Sequence, residues 1–259
     1  MNSTAILRDT RGPCTWLTLN RPRALNALDS STLELFNEAL DQVAGDEESR
    51  CVVITGTGRA FCAGADLTAI NELPGEAIAQ FLHDINALMT RIACFPKPVI
   101  AAVNGLTVGG GLELLLSCDL VVAADDARLS DGHANFGLLP GAGASVRLPR
   151  KLGATRAKYL LFTGDLLPAS DPIFAPLINV LVPGAQLPAA VERLVEKIAG
   201  KSPLALRHVK ALADAAFDAS IEQALQMEQS ANQAYALSYD RSEGITAFNE
   251  NRKPVFLGR

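Results

Sequence analysis

Glu113 and the three glycines before it are the first residues that suggest chemistry. Gly109, Gly110 and Gly111 stand between two apolar runs, residues 99–103 and residues 112–116, with Glu113 inside the second. A helix opening at these glycines presents N–H groups that have no partner within the helix and carry partial positive charge. Glycine also lets a ligand approach the backbone closely. Such a turn suits a developing negative charge. Glu113 follows Gly110 by three residues, which on a helix is the same face. Its apolar neighbours should raise its pKa toward a useful acid–base range. A structural carboxylate paired with an arginine, or a solvated one, fits the same spacing.

A second turn, Ala60-Phe-Cys-Ala-Gly-Ala-Asp66, follows the apolar run 51–55 and offers N–H groups near Ala63 and Gly64. Donors from both turns converging on one carbonyl oxygen would form an oxyanion hole. Gly56 and Gly58 also invite a dinucleotide site. Residue 61 is Phe61, however, where that fingerprint needs its third glycine.

The elements that must position these turns are legible in outline. Residues 14–19, 51–55, 99–103 and 120–124 read as strands, the last three apolar on both faces. Residues 29–31 open a helix, with capping-box spacing from Ser31 to Glu34. Its buried face is Leu33, Phe36, Leu40 and Val43. Residues 76–93 form an amphipathic helix with Ile78, Phe81, Leu82, Ile85, Leu88, Met89 and Ile92 on one stripe. Pro96 and Pro98 end it. Short helices are expected over 112–117 and 153–164. Residues 170–184 carry Pro172, Pro176 and Pro183 and form no long helix. The chain is mostly helical from Ser202 to about Tyr235 and ends in a basic tail. Apolar strands alternating with helices point to an α/β protein with largely parallel sheets.

Composition narrows the function class. The chain has 259 residues, 49% hydrophobic and 20% charged, with a net charge of −5. A large buried core is possible. No Lys or Arg run stands out, which argues against nucleic acid as a partner. Cys14, Cys51, Cys62, Cys94 and Cys118 make an odd five with no metal-ligand spacing, so free thiols in a reducing compartment are expected. No apolar run reaches the ~20 residues of a membrane span. No signal peptide is seen, and a cytoplasmic location is expected.

Five stretches in order resemble the crotonase (enoyl-CoA hydratase/isomerase) family. They are Asn20-Arg-Pro-Arg-Ala-Leu-Asn-Ala27, Val53-Ile-Thr-Gly-Thr-Gly-Arg-Ala-Phe-Cys-Ala-Gly-Ala-Asp-Leu67, Val103-Asn-Gly-Leu-Thr-Val-Gly-Gly-Gly-Leu-Glu-Leu114, Gly137-Leu-Leu-Pro-Gly141 and Phe248-Asn-Glu-Asn-Arg-Lys-Pro-Val-Phe256. The resemblance implies a crotonase-like ββα superhelix over residues 1–200 with a helical trimerisation region over 201–259. It implies an acyl-CoA thioester substrate, no cofactor beyond the CoA of that substrate, no metal, and trimers or dimers of trimers. Carried over by position, the oxyanion donors are the N–H groups of Ala63 and Gly110. Arg23, Ala24 and Leu25 match the segment that follows the CoA diphosphate. Ala60, Ala65, Asp66 and Leu67 lie in the segment that meets adenine. Lys253, beside Arg252, matches a tail that reaches CoA on a neighbouring subunit.

One departure bears on the reaction. Hydratases of the family use two glutamates, and Glu113 stands where the first is expected. The second position holds His133, and Asp131 lies two residues earlier on a shorter side chain. Imidazole exchanges protons near neutral pH, so Glu113 and His133 can share acid and base roles. A purely pocket-shaping His133 is equally compatible. Enoyl-CoA hydration leads the expected activities. Double-bond isomerisation, C–C or thioester hydrolysis, and non-catalytic acyl-CoA binding are the alternatives, because one scaffold hosts many reactions.

Overall fold

The computed structural model describes residues 4–259. Strand β1 (Ile6–Arg11) pairs antiparallel with β2 (Cys14–Leu19). A 3-10 turn (Pro22–Ala24) leads to α1 (Ser30–Ala44). Three turns of one pattern follow. The first is β3 (Cys51–Gly56), β4 (Ala60–Cys62), α2 (Leu67–Asn71) and α3 (Gly75–Ala93). The second is β5 (Val99–Val103), β6 (Leu106–Val108) and α4 (Gly110–Ser117). The third is β7 (Leu120–Ala124), β8 (Arg128–Ser130), a 3-10 turn (His133–Phe136), α5 (Ala144–Leu152) and α6 (Ala154–Thr163). The chain then adds β9 (Leu167–Pro168), β10 (Val180–Val182), α7 (Leu187–Ala199), α8 (Pro203–Ala215), α9 (Ile221–Tyr235) and α10 (Tyr239–Asn249).

In each turn the first strand joins a larger sheet, ordered β1-β2-β3-β5-β7-β10, and the second joins a smaller one, ordered β4-β6-β8-β9. Pairing is parallel except for β1–β2 and β8–β9. The continuous apolar character of β3, β5 and β7 has a direct cause, since both faces of the larger sheet are covered. Val52, Ile54, Ala101 and Val121 face the main core with α1 and α3. Val53, Ile100 and Val122 face Leu187, Val191 and Val195 of α7.

Three local expectations are corrected. Helix α1 is capped by Asp29, whose Oδ1 accepts from the Thr32 N–H at 2.8 Å, and not by a Ser31–Glu34 box. Leu82 faces outward on α3, while Phe81, Ile85, Leu88, Met89 and Ile92 are buried. Helix α4 begins at Gly110, two residues before the apolar run, so both remaining glycines belong to its first turn. The five cysteines are free, Cys94 exposed and the others buried. Among the described residues no helix is long and apolar enough to cross a membrane.

Candidate active site

The two glycine turns meet. Gly64 lies at φ 95°, a conformation that disfavours any side chain. A Cβ there would stand 2.9 Å from the Val108 carbonyl oxygen and 3.0 Å from the Gly110 nitrogen. Gly111 has no room for a side chain, since a Cβ would fall 1.9 Å from the Cys62 carbonyl oxygen. The end of β4 is therefore pressed directly against the first turn of α4.

The oxyanion donor expected at Ala63 is corrected by its hydrogen bond. The Ala63 N–H donates to the Leu25 carbonyl at 3.0 Å and is spent. The free amide is two residues on. Leu28 donates to the Gly64 carbonyl, and Asp66 donates to the Leu28 carbonyl, each at 2.8 Å. This parallel bridge uses the groups on either side of Ala65 and leaves Ala65's own N–H unused. The Ala65 nitrogen lies 3.3 Å from the point where a Cβ on Gly110 would sit. The Ala65 and Gly110 N–H groups meet no acceptor among the described residues. Gly110 is the first residue of α4, where a free N–H is expected.

Glu113 is 2% exposed. Its Oε1 accepts the N–H groups of Ala142 at 2.8 Å and Ala144 at 3.0 Å, at the start of α5. Arg147 holds this loop by donating to the Ala142 carbonyl at 2.7 Å. Burial raises the Glu113 pKa, and Asp131 adds to it. The two backbone N–H groups and the charge of His133 oppose the rise without cancelling it. Glu113 and His133 therefore lie close enough for each to shift the other's ionisation.

His133 is brought in from β8. The Gly109 N–H donates to the Ser130 carbonyl at 3.2 Å, tying the end of β8 to the glycine turn. A Cβ on Gly109 would stand 3.7 Å from His133 Cε1 and 3.8 Å from Nε2, so the ring lies against that turn. Its Nδ1 is 3.1 Å from Asp131 Oδ1. Burial pushes the His133 pKa down. The hydrogen bond and charge of Asp131, with a contribution from Glu113, more than offset it, and the net shift is upward.

The site now holds two free amides, a buried carboxylate and an imidazole around one turn, in a mixed α/β frame. A family profile described as "Enoyl-CoA hydratase/isomerase" matches residues 11–259. The chain belongs to this family. Similar curated proteins include the crotonyl-CoA hydratase of Syntrophomonas wolfei, 36% identical over 244 residues and covering 94% of each chain. The 2,3-dehydroadipyl-CoA hydratase of Escherichia coli is 39% identical over 245 residues, again 94% of each. The crystal structure of an enoyl-CoA hydratase from Bacillus anthracis superposes with a TM-score of 0.95 at 35% identity, covering 98% of this chain and 100% of that one. The crotonase fold expected from the sequence is the fold found.

Within this enoyl-CoA hydratase/isomerase frame the expected substrate residues divide. Arg23 is exposed on the 3-10 turn, beside half-buried Ala24 and Leu25. Leu25 and Asn26 are left-handed, at φ 52° and 59°, an uncommon pair for residues other than glycine. Buried Asn26 holds them: its Oδ1 accepts the Arg21 N–H, and its Nδ2 donates to the carbonyls of Thr57 and Ala60. Ala60 is corrected as a substrate contact. It is 1% exposed, and its carbonyl already accepts from Asn26 and Asn104. The Asp66 carboxylate caps α2 and pairs with Arg21 at 3.0 Å, its N–H is spent on the Leu28 carbonyl, and its carbonyl accepts from Ile70, so Asp66 has no free donor for a ligand. Leu67 is half exposed and Lys253 is exposed. Arg252, by contrast, is committed to Glu243 at 2.6 and 2.9 Å and to Glu250 at 2.7 Å. The sequence had no signal for Ala142, Ala144 or Arg147, which meet Glu113 only through the fold.

A large concavity of about 830 Å³ lies away from these groups, between α8 and α9, lined by Val209, Leu212, Ile221 and Leu225. None of the acid–base residues lines it.

Proposed function

We propose that this chain adds water across the C2–C3 double bond of an enoyl-CoA thioester. The observation that carries the reading is the adjacency of the free Ala65 and Gly110 N–H groups, with the Glu113 carboxylate on the same helix turn. The relatives described as crotonyl-CoA and 2,3-dehydroadipyl-CoA hydratases support it.

The thioester oxygen rests against the Ala65 and Gly110 amides. Glu113 takes a proton from water as the water oxygen bonds to C3. The electron pair of the double bond moves through C2 to the thioester oxygen, and the enolate forms where the two amides wait. Imidazolium of His133 then protonates C2 as the enolate collapses. Transfer of the proton from Glu113 to His133 resets the site, so one water is consumed and no proton is gained or lost. Burial raises the Glu113 pKa toward the imidazole range, which suits this exchange, and the Asp131 carboxylate favours the imidazolium of His133 that donates at C2.

The loop of Arg23, Ala24 and Leu25 meets the CoA diphosphate, the segment of Asp66 and half-exposed Leu67 lies beside adenine, and Lys253 reaches a neighbouring protomer. Residues 201–259 form the trimer contacts. The exposed apolar side chains of Val209, Phe217, Ile221, Leu225, Leu237 and Phe248 support that assembly. CoA is part of the substrate, and no separate cofactor takes part. The location is cytoplasmic.

Histidine at position 133 favours one second reading, isomerisation or hydrolysis on the same oxyanion site, since only one of the two family glutamates is present. A panel of enoyl-CoA thioesters, crotonyl-CoA first, separates the reactions by mass spectrometry. Hydration adds one water with loss of the enoyl ultraviolet absorbance. Products of unchanged mass or cleaved products would overturn hydration in favour of the second reading.

A further inference from the structure

We infer that Asp131 is a positioning residue for His133, so that the second acid–base group of this site is a carboxylate–imidazole pair. The inference rests on the hydration reading and deepens it. Asp131 is fully buried. Its Oδ1 lies 3.1 Å from His133 Nδ1, and its Oδ2 has no partner among the described residues. Among the described residues no Lys or Arg pairs with it, and its one ion-pair partner there is the imidazolium of His133. A buried carboxylate so poorly satisfied costs stability, so its retention needs another reason.

The geometry supplies one. A carboxylate at Nδ1 keeps the proton on Nδ1 in the neutral ring and leaves Nε2 as the working nitrogen. Nε2 is the ring atom that lies with Cε1 against Gly109, next to the free amide of Gly110. Asp131 also sets the charge state. The groups that face the imidazole are Asp131 from the end of β8 and Glu113 from α4, both anionic when ionised, while Arg147 from α5 faces Glu113. With two carboxylates around it, the ring is held as a donor until a proton is needed at C2. A carboxylate two residues before the histidine thus restores the anionic character that a glutamate at position 133 would bring, one bond network further out.

The test uses the full chain with crotonyl-CoA. Asp131→Asn should lower kcat with little change in KM. The loss should stay within the ~10²–10⁴-fold that general acid–base catalysis contributes. The limb of the pH–rate profile that belongs to His133 should move to lower pH. In a His133→Glu background the same Asp131→Asn change should cause no further loss, because the ring it acts through is gone. An equal loss in both backgrounds would mean a structural role and overturn the proposal. Nitrogen-15 spectra of His133 in the unaltered protein provide a readout that needs no variant to fold. A ring protonated at Nδ1 is expected, and a ring protonated only at Nε2 overturns the pairing. Full turnover by His133→Gln would instead remove the catalytic reading of His133, while the spectra still decide the pairing with Asp131.

Discussion

Replacing Glu113 by Gln separates its two jobs. Oε1 anchors two backbone N–H groups, from Ala142 and Ala144, and the charge does the proposed chemistry. Gln keeps an acceptor at the Oε1 position, so both donors remain satisfied and the loop before α5 stays in place. It cannot take a proton from water. Loss of a general base costs ~10²–10⁴ in rate, or about 3–5 kcal/mol of transition-state stabilisation. Stability should move the other way. Burial raises the Glu113 pKa, so the folded protein holds this proton more tightly than the unfolded chain. Its stability therefore falls as pH rises from the ordinary carboxylate range through the raised value, and a Gln does not share that fall. Glu113→Gln should melt at the same temperature as the parent or higher at neutral pH, with the advantage disappearing in acid. Glu113→Leu strands both donors at roughly 1–3 kcal/mol each and should melt lower at every pH. Crotonyl-CoA hydration followed by ultraviolet absorbance reads the activity, and thermal melts from acid to neutral pH read the stability. Unchanged turnover in Glu113→Gln refutes the base. A melting loss as large as that of Glu113→Leu refutes the two-donor anchor.

Gly64→Ala places a Cβ 2.9 Å from the Val108 carbonyl and 3.0 Å from the Gly110 nitrogen at φ 95°, so it should push the two amides apart and lower kcat by up to ~10²–10³, the range for one lost oxyanion donor; steady-state kinetics and a thermal melt check it. His133 has a raised pKa, so its imidazolium stabilises the fold fully below the ordinary histidine range of ~6.5 and progressively less as pH climbs through the raised value. His133→Gln should accordingly lose most stability relative to the parent in acid and little in alkali, as melts across that range would show. Arg21 donates to the Ala27 carbonyl at 2.6 Å and pairs with Asp29 at 2.8 Å and Asp66 at 3.0 Å. Its replacement by Ala should loosen the loop of Arg23, Ala24 and Leu25 and raise KM for acyl-CoA more than it lowers kcat. Light scattering should give a mass three times the 27.4 kDa of one chain, or six times, and a stable monomer would remove the trimer proposal.

The larger sheet was legible because burial on both faces leaves a plain mark: the apolar runs Cys51-Val-Val-Ile54 of β3, Val99–Val103 of β5 and Leu120–Ala124 of β7. The smaller sheet was not, since β4, β6 and β8 are three residues each and too short to show a period. Strand β1 was missed for a different reason. Only Ile6 of its six residues is buried, so an edge strand reads as a polar segment. The threefold ββα pattern left no sequence repeat because each turn ends on a different helix: long α3, short apolar α4, and the α5–α6 pair.

The site shows where residue types stop carrying information. Glu113, Gly110 and His133 could be named from spacing and resemblance, because side-chain chemistry and glycine are written in the sequence. Which amide of Ala60-Phe-Cys-Ala-Gly-Ala-Asp66 is free could not, because every residue there has the same N–H. The choice is made by a partner far along the chain. Leu25 and Leu28 draw on alternate groups of that segment, so the Ala63 N–H is consumed and the Ala65 N–H is left over. The left-handed pair Leu25 and Asn26 sets that register, and buried Asn26 holds the pair through three backbone contacts. The loop proposed to carry CoA is thus the same loop that selects the oxyanion donor, and binding and chemistry share one constraint. Changing Asn26 should therefore damage kcat as well as KM, although no atom of Asn26 is placed at the reacting carbons.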